Sequence, residues 1–104
     1  MTPDKKYYHV TDTGNTMPII MEGLKANEYG EIFLFDKKDI AFDIALLQLG
    51  LTEFSLFEVE PEGINCKLEQ DLVGEFTSRY QWIAKQELID TDYIQYLGSY
   101  KMTR

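Results

Sequence analysis

Tyr7-Tyr8-His9-Val10-Thr11 is a β-prone run that predicts a first strand, and Thr13-Gly14-Asn15-Thr16 predicts a turn after it. The turn offers several N-cap side chains, and Pro18 suits the first turn of a helix, so a short helix follows. Gly23, with apolar Leu24 behind it, predicts a left-handed C-cap for that helix. Lys25 to Gly30 is polar and reads as a loop, and Glu31 to Phe35 reads as a second strand. Asp36 is the expected cap of the longest helix, Lys37 to Leu49. Within it Ile40, Ala41, Ile44 and Leu47 recur at spacings of three and four, the mark of a buried face, and Gly50 ends it.

The second half reads mainly as strands. Glu53 to Glu60 alternates, but its apolar phase slips between Leu56 and Phe57, which predicts either a bulge or burial on both faces. Pro61-Glu62-Gly63 is a turn signal, and Ile64, Cys66 and Leu68 alternate with Asn65 and Lys67 as a short strand would. Glu69 to Ser78 connects to a strand over Arg79 to Ala84. Asp90-Thr91-Asp92 caps a single turn through Tyr93 and Ile94, and Leu97 to Met102 is the expected edge strand. Both helices come early and strands outnumber them. The expected class is therefore α+β, with helices on a mainly antiparallel sheet, in one domain spanning 1–104.

Composition narrows the function classes. The chain has no apolar run near the roughly 18 residues of a membrane span. Its single cysteine, Cys66, has no internal partner, which suits a reducing cytoplasm. The formal charge is −8, and seven acids lie between Glu53 and Glu75 against Lys67 alone, so direct nucleic-acid binding is disfavoured. This stretch (Glu53, Glu58, Glu60, Glu62, Glu69, Asp71, Glu75) reads as a solvated face or as a surface for a basic protein partner.

Several chemistries lack the residues they need. One histidine and one cysteine give no metal-ligand spacing, so no metal is expected. No glycine-rich phosphate loop occurs, and Ser55, Ser78 and Ser99 lack a nucleophile-elbow context. Cys66 reads as a buried, inert thiol. A strand histidine is usually a satisfied structural residue, and His9 stands out only through its surroundings.

Those surroundings carry a family likeness. His9-Val10-Thr11, then Ile19-Ile20-Met21-Glu22-Gly23-Leu24 and Ile32-Phe33-Leu34, resemble the opening of RNA 2′-phosphotransferases and DNA-targeting ADP-ribosyltransferase toxins. Phe57-Glu58-Val59, Tyr80-Gln81-Trp82-Ile83-Ala84 and Asp92-Tyr93-Ile94 are similar to the family's later strands and the turn after them. The resemblance spans residues 7 to 97 and implies a split antiparallel sheet of ADP-ribosyltransferase-like type. It implies that His9 binds the nicotinamide ribose of NAD and that Thr11 sets the backbone gripping the nicotinamide; Lys25, just after the helix stop, is then expected to meet a phosphate, and Tyr29, by its position in the loop before the second strand, to offer an aromatic face. It puts Gln81 where transferases carry glutamate. An amide there supplies neither a general base nor a negative charge, and Glu87 does not replace it without a change of register.

Three readings follow. The first is a reduced or non-catalytic NAD cleft in a protein that acts mainly by binding a partner. The second is a minimal active ADP-ribosyltransferase, and the third is an unrelated acidic binding or inhibitor domain. In the first two, His9 and Gln81 are expected on adjacent strands, facing one depression.

Overall fold

A computed structural model of the chain describes residues 6–48, 50, 52–70 and 81–101, without the side chains of Leu47 and Gln48. Its elements are β1 (Tyr7–Asp12), α1 (Thr16–Glu22), β2 (Leu24–Lys25), β3 (Ile32–Phe35), α2 (Lys38–Asp43), β4 (Glu53–Val59), β5 (Glu69–Gln70), β6 (Gln81–Ala84), β7 (Leu88–Ile89) and β8 (Ile94–Lys101). Six strands form an antiparallel sheet in the order β5-β6-β3-β1-β4-β8, and β2 pairs with β7 in a separate two-stranded ladder. The expected class, α+β with a mainly antiparallel sheet, is the one observed.

The phase slip in β4 comes from burial on both of its faces. Its register with β1 runs unbroken from Tyr7 opposite Val59 to Asp12 opposite Phe54, so Phe54 and Leu56 face one side while Phe57 and Val59 face the other. Both sides are buried. Val10, Phe35, Phe54 and Leu56 pack with Ala41, Ile44 and Ala45 from the α2 region. Tyr7, Leu34, Phe57 and Val59 pack with Ile19 of α1 and with Leu24 and Ile89 of the small ladder. A bulge is also present, on the partner strand: Leu56 faces Gly98 and Phe57 faces Tyr96, which leaves Leu97 as the extra residue of β8. Burying side chains such as Leu56 and Phe57 contributes about 1.5–3 kcal/mol each.

A polar residue sits in the middle of this burial. Ser55 is fully buried, and its hydroxyl lies 2.6 Å from that of Thr16 and 2.7 Å from that of Ser99. Thr16 donates to the Thr13 carbonyl at 2.8 Å, and Tyr96 OH contacts the Ser99 hydroxyl. A carbonyl only accepts and each hydroxyl has one proton, so the chain runs one way, from Tyr96 through Ser99, Ser55 and Thr16 to Thr13. It ties the start of α1 to the outermost strand.

Several local expectations need correction. Gly23 does end α1, donating to Ile19 at 2.8 Å, but with φ +93° and ψ 177° rather than in the compact left-handed well. The chain leaves α1 extended, because Leu24 and Lys25 pair with Ile89 and Leu88. An added Cβ at Gly23 would lie 2.4 Å from the Ile89 carbonyl oxygen, so close approach as well as positive φ requires glycine there. Asp36 does not cap α2; its Oδ2 accepts from Trp82 Nε1 at 3.2 Å, and Lys37 holds the cap position. The helix widens into a π turn over Ile44–Gln48, and the side chain of Leu47 lies outside the described residues.

Residues 64–68 form no strand. Ile64, Cys66 and Leu68 do pack on the core, but Gln86 holds this segment, accepting from Asn65 N at 3.0 Å and donating to the Gly63 carbonyl at 3.0 Å. The outer strand begins earlier than expected, at Ile94. Asp90 caps the 91–93 turn as expected, accepting from Asp92 N at 3.0 Å.

Phe57→Ala is expected to cost about 3–5 kcal/mol in urea unfolding. Met21→Ala, on the outer face of α1, should stay within about 0.5 kcal/mol. Ile44→Asp should abolish cooperative folding, because it sets a charge against the α2 core without a partner.

Candidate functional site: the His9 depression

Strand β1 pairs with β4 along its whole length, but with β3 only at Tyr8 opposite Phe35. Beyond that position the Phe33 carbonyl is taken by a side chain: His9 Nδ1 lies 2.8 Å from it and donates to it. The neutral ring is thereby fixed with its proton on Nδ1 and its lone pair on Nε2. Burial pushes the His9 pKa below the ordinary histidine value, and the bond to Phe33 opposes that shift only in part.

His9 lines a depression of about 300 Å³ between β1, the turn before α1 and the exit from α1. Thr11, Asn15 and Lys25 are its other polar residues, and Pro18, Ile19 and Leu24 supply an apolar side. The strand brings His9 and Thr11 to one face because they are two residues apart. The extended Gly23 backbone swings Lys25 back towards them. Asn15 Nδ2 donates to Thr11 Oγ1 at 2.9 Å, which leaves the Thr11 hydroxyl proton for a ligand. Lys25 Nζ lies 2.6 Å from Glu22 Oε1 and holds that carboxyl below its usual range.

The sequence-derived candidates divide. His9, Thr11 and Lys25 share the depression. Tyr29 does not line it; that side chain is 77% exposed in a turn fixed by Asn27 Oδ1, which accepts from Tyr29 N at 2.9 Å. Gln81 is also elsewhere. Its strand, β6, is separated from β1 by β3, a lateral distance of about 10 Å. Gln81 stands opposite Phe35 and Phe35 opposite Tyr8, so Gln81 shares the α2 face while His9 faces α1. The expected meeting of His9 and Gln81 on adjacent strands does not occur. The reason is register: one residue along β1 separates the two faces of the sheet.

The residue missed from sequence is Asn15, whose turn position lies four residues beyond Thr11. A second missed feature is Ser55, recognisable as a lone hydroxyl among Phe54, Leu56 and Phe57.

The acidic stretch is not one surface. Glu53 and Glu60 stand at opposite ends of β4, and Glu69 lies on β5, at the other side of the sheet from β8. Glu53, Glu62 and Glu69 are exposed, while Glu58 and Glu60 are half-buried. Lysines already neutralise three of them: Lys101 at 3.9 Å from Glu53, Lys85 at 3.4 Å from Glu69, and Lys6 against Glu60. Asp71 and Glu75 lie outside the described residues. Alternation along β4 and the turn after it disperse charges that are close in sequence.

The depression's chemistry suits binding. None of its lining residues is a carboxylic acid, thiol or serine, and its one formal charge is the Lys25 ammonium. It offers an acceptor at His9 Nε2, a hydroxyl donor at Thr11 and a cation at Lys25. No protein-family model matches the sequence, and comparison with curated proteins finds no match either. Among the described residues no helix is long and apolar enough to cross a membrane.

The His9 shift fixes a sign for pH dependence. Because the folded-state pKa lies below the unfolded value near 6.5, the unfolded chain takes up the proton first as pH falls. His9 therefore contributes no pH dependence well above 6.5, and costs stability progressively from about 6.5 down to its folded pKa. Urea unfolding across pH 5 to 8, about 1.5 units either side of the histidine value, should show a shallower fall on the acid side in His9→Gln than in the wild type.

Proposed function

We propose that this chain is a binding protein without transferase chemistry, whose His9 depression takes the nicotinamide-ribose end of an NAD-like nucleotide or a fragment of similar size. The single observation that carries this reading is that His9, Thr11 and Lys25 line one partly apolar depression that contains no acid. Its volume is at the lower end for small-ligand sites, sufficient for a ring and its sugar rather than a dinucleotide along its length. Ring stacking on Pro18 and Ile19, hydroxyl contacts to His9 and Thr11, and a phosphate near Lys25 are the interactions such a ligand would make.

Transfer of ADP-ribose passes through a cationic sugar, which is stabilised by nearby negative charge. Lys25 puts the opposite sign in the depression, and its neighbour Glu22 is engaged by Lys25 itself. Gln81 takes no part in this site. That separation counts against the ADP-ribosyltransferase-like assignment, whose resemblance spans residues 7 to 97 and puts Gln81 in the same cleft as His9. Binding at the His9 depression is the part kept as the protein's work; the pairing of His9 with Gln81 that both family readings expect is not part of it.

Calorimetric titration should find ADP-ribose or NAD binding weakly, with Kd on the order of 0.1–1 mM. His9→Ala should weaken it about three- to tenfold, the loss of one hydrogen bond. Neither the wild type nor Gln81→Glu should transfer ADP-ribose or hydrolyse NAD. Efficient transfer by the wild type, or binding unaffected by His9→Ala, would overturn the proposal.

A further inference from the structure

Strand β8 closes one side of the sheet, and among the described residues no strand pairs with its outer edge. Its backbone donors and acceptors along that edge are a template for another strand. The Leu97–Gly98 bulge, with Gly98 at φ +140°, divides this edge into two regular stretches, Ile94–Tyr96 and Ser99–Lys101, of which the first adjoins α1 through Ile94 and Tyr96. Beside that first stretch, a groove of about 130 Å³ runs between β8 and α1, floored by Phe57 and walled by Ile20, Ile94 and Tyr96.

Ile20, which walls the groove, is itself 40% exposed. Met17, Ile20 and Met21 fall at helical spacing on α1, and Met17 and Met21 are 58% and 72% exposed. The hydroxyl chain from Tyr96 to Thr13 holds α1 and β8 in fixed relation, so the groove is preformed.

Charge selects the occupant. Glu60 N donates to the Tyr93 carbonyl at 2.8 Å, which brings the 61–63 turn against the 91–93 turn at the Ile94 end of β8. Glu62, Asp90 and Asp92 are all exposed there, and Lys6, the cation at that end, is paired with Glu60. A second copy of this chain would bring its own formal charge of −8 to the same place, which opposes self-pairing.

We propose that the Ile94–Tyr96 half of β8 and the adjoining α1 groove dock an extended segment of another protein, apolar at alternate positions and basic between them. It adds as a strand to β8, sets apolar side chains into the groove beside Tyr96 and Ile20, and places lysine or arginine near Glu62, Asp90 and Asp92. This surface is separate from the His9 depression, and its use does not depend on a nucleotide.

The test uses a short, capped peptide alternating valine and lysine, titrated against the full chain by fluorescence anisotropy. Binding should weaken as salt rises, and amide signals of Ile94 to Tyr96 should gain exchange protection. Three changes should each weaken it roughly tenfold or more: glutamate for lysine in the peptide, N-methylation along one edge of the peptide, and Ile20→Lys in the protein. Glu62→Gln with Asp92→Asn should reduce the salt dependence without disturbing the fold. No binding, equal binding of the acidic or N-methylated peptide, or a chain that sediments as a dimer with β8 amides already protected would overturn the proposal.

Discussion

A strand buried on both faces has to be covered twice, and the arrangement of this protein follows from β4 having Phe54 and Leu56 on one side with Phe57 and Val59 on the other. The α2 region closes over the first pair with Ala41, Ile44 and Ala45. The short α1 and the two-residue ladder of β2 and β7 close over the second with Ile19, Leu24 and Ile89. Because β1 is paired to β4 along six positions, its own residues inherit this division: Val10 faces α2, and His9 and Thr11 face α1. The candidate site is thus a consequence of core packing. His9 and Thr11 are on the side where the covering layer is thin and leaves a depression.

The same division explains why the site is modest in chemistry. In the depression the polar groups are a histidine committed through Nδ1 to a carbonyl, a threonine accepting from Asn15, that asparagine itself, and a lysine paired with Glu22. Such groups are hydrogen-bonding and ion-pairing partners, as the proposed binding role requires. The developing positive charge of a glycosyl transfer would find no counterpart among them. Gln81 is buried on the other face, where substitution by glutamate would place a charge near the α2 core rather than near a substrate.

The apolar periodicities were the most legible part of the sequence. The α2 segment was readable because its apolar residues recur at helical spacing, and β1 and β3 because they are β-prone or continuously apolar runs bounded by turn residues. The phase slip in β4 was readable too, although sequence alone could not separate burial on both faces from a bulge; both occur, the bulge on β8. Ladders such as β2 with β7 were not legible, since two residues per strand leave no period. The 64–68 segment misled because its inward alternation is real while its hydrogen bonds go to Gln86 rather than to a strand. At the site, His9, Thr11 and Lys25 come together through local connections within about 20 residues. Gln81 failed because its placement depends on strand order and face, which single-residue resemblance does not encode.

The most direct test of a binding site without transfer chemistry is ¹⁵N NMR of the His9 imidazole during titration with ADP-ribose. The free protein should show the Nδ1-protonated tautomer. Added ligand should shift Nε2 and the amides of Thr11, Asn15 and Lys25, leaving Gln81 and Phe35 unchanged. Shifts centred on Gln81 and Phe35, or a His9 ring insensitive to saturating ligand, would contradict the account.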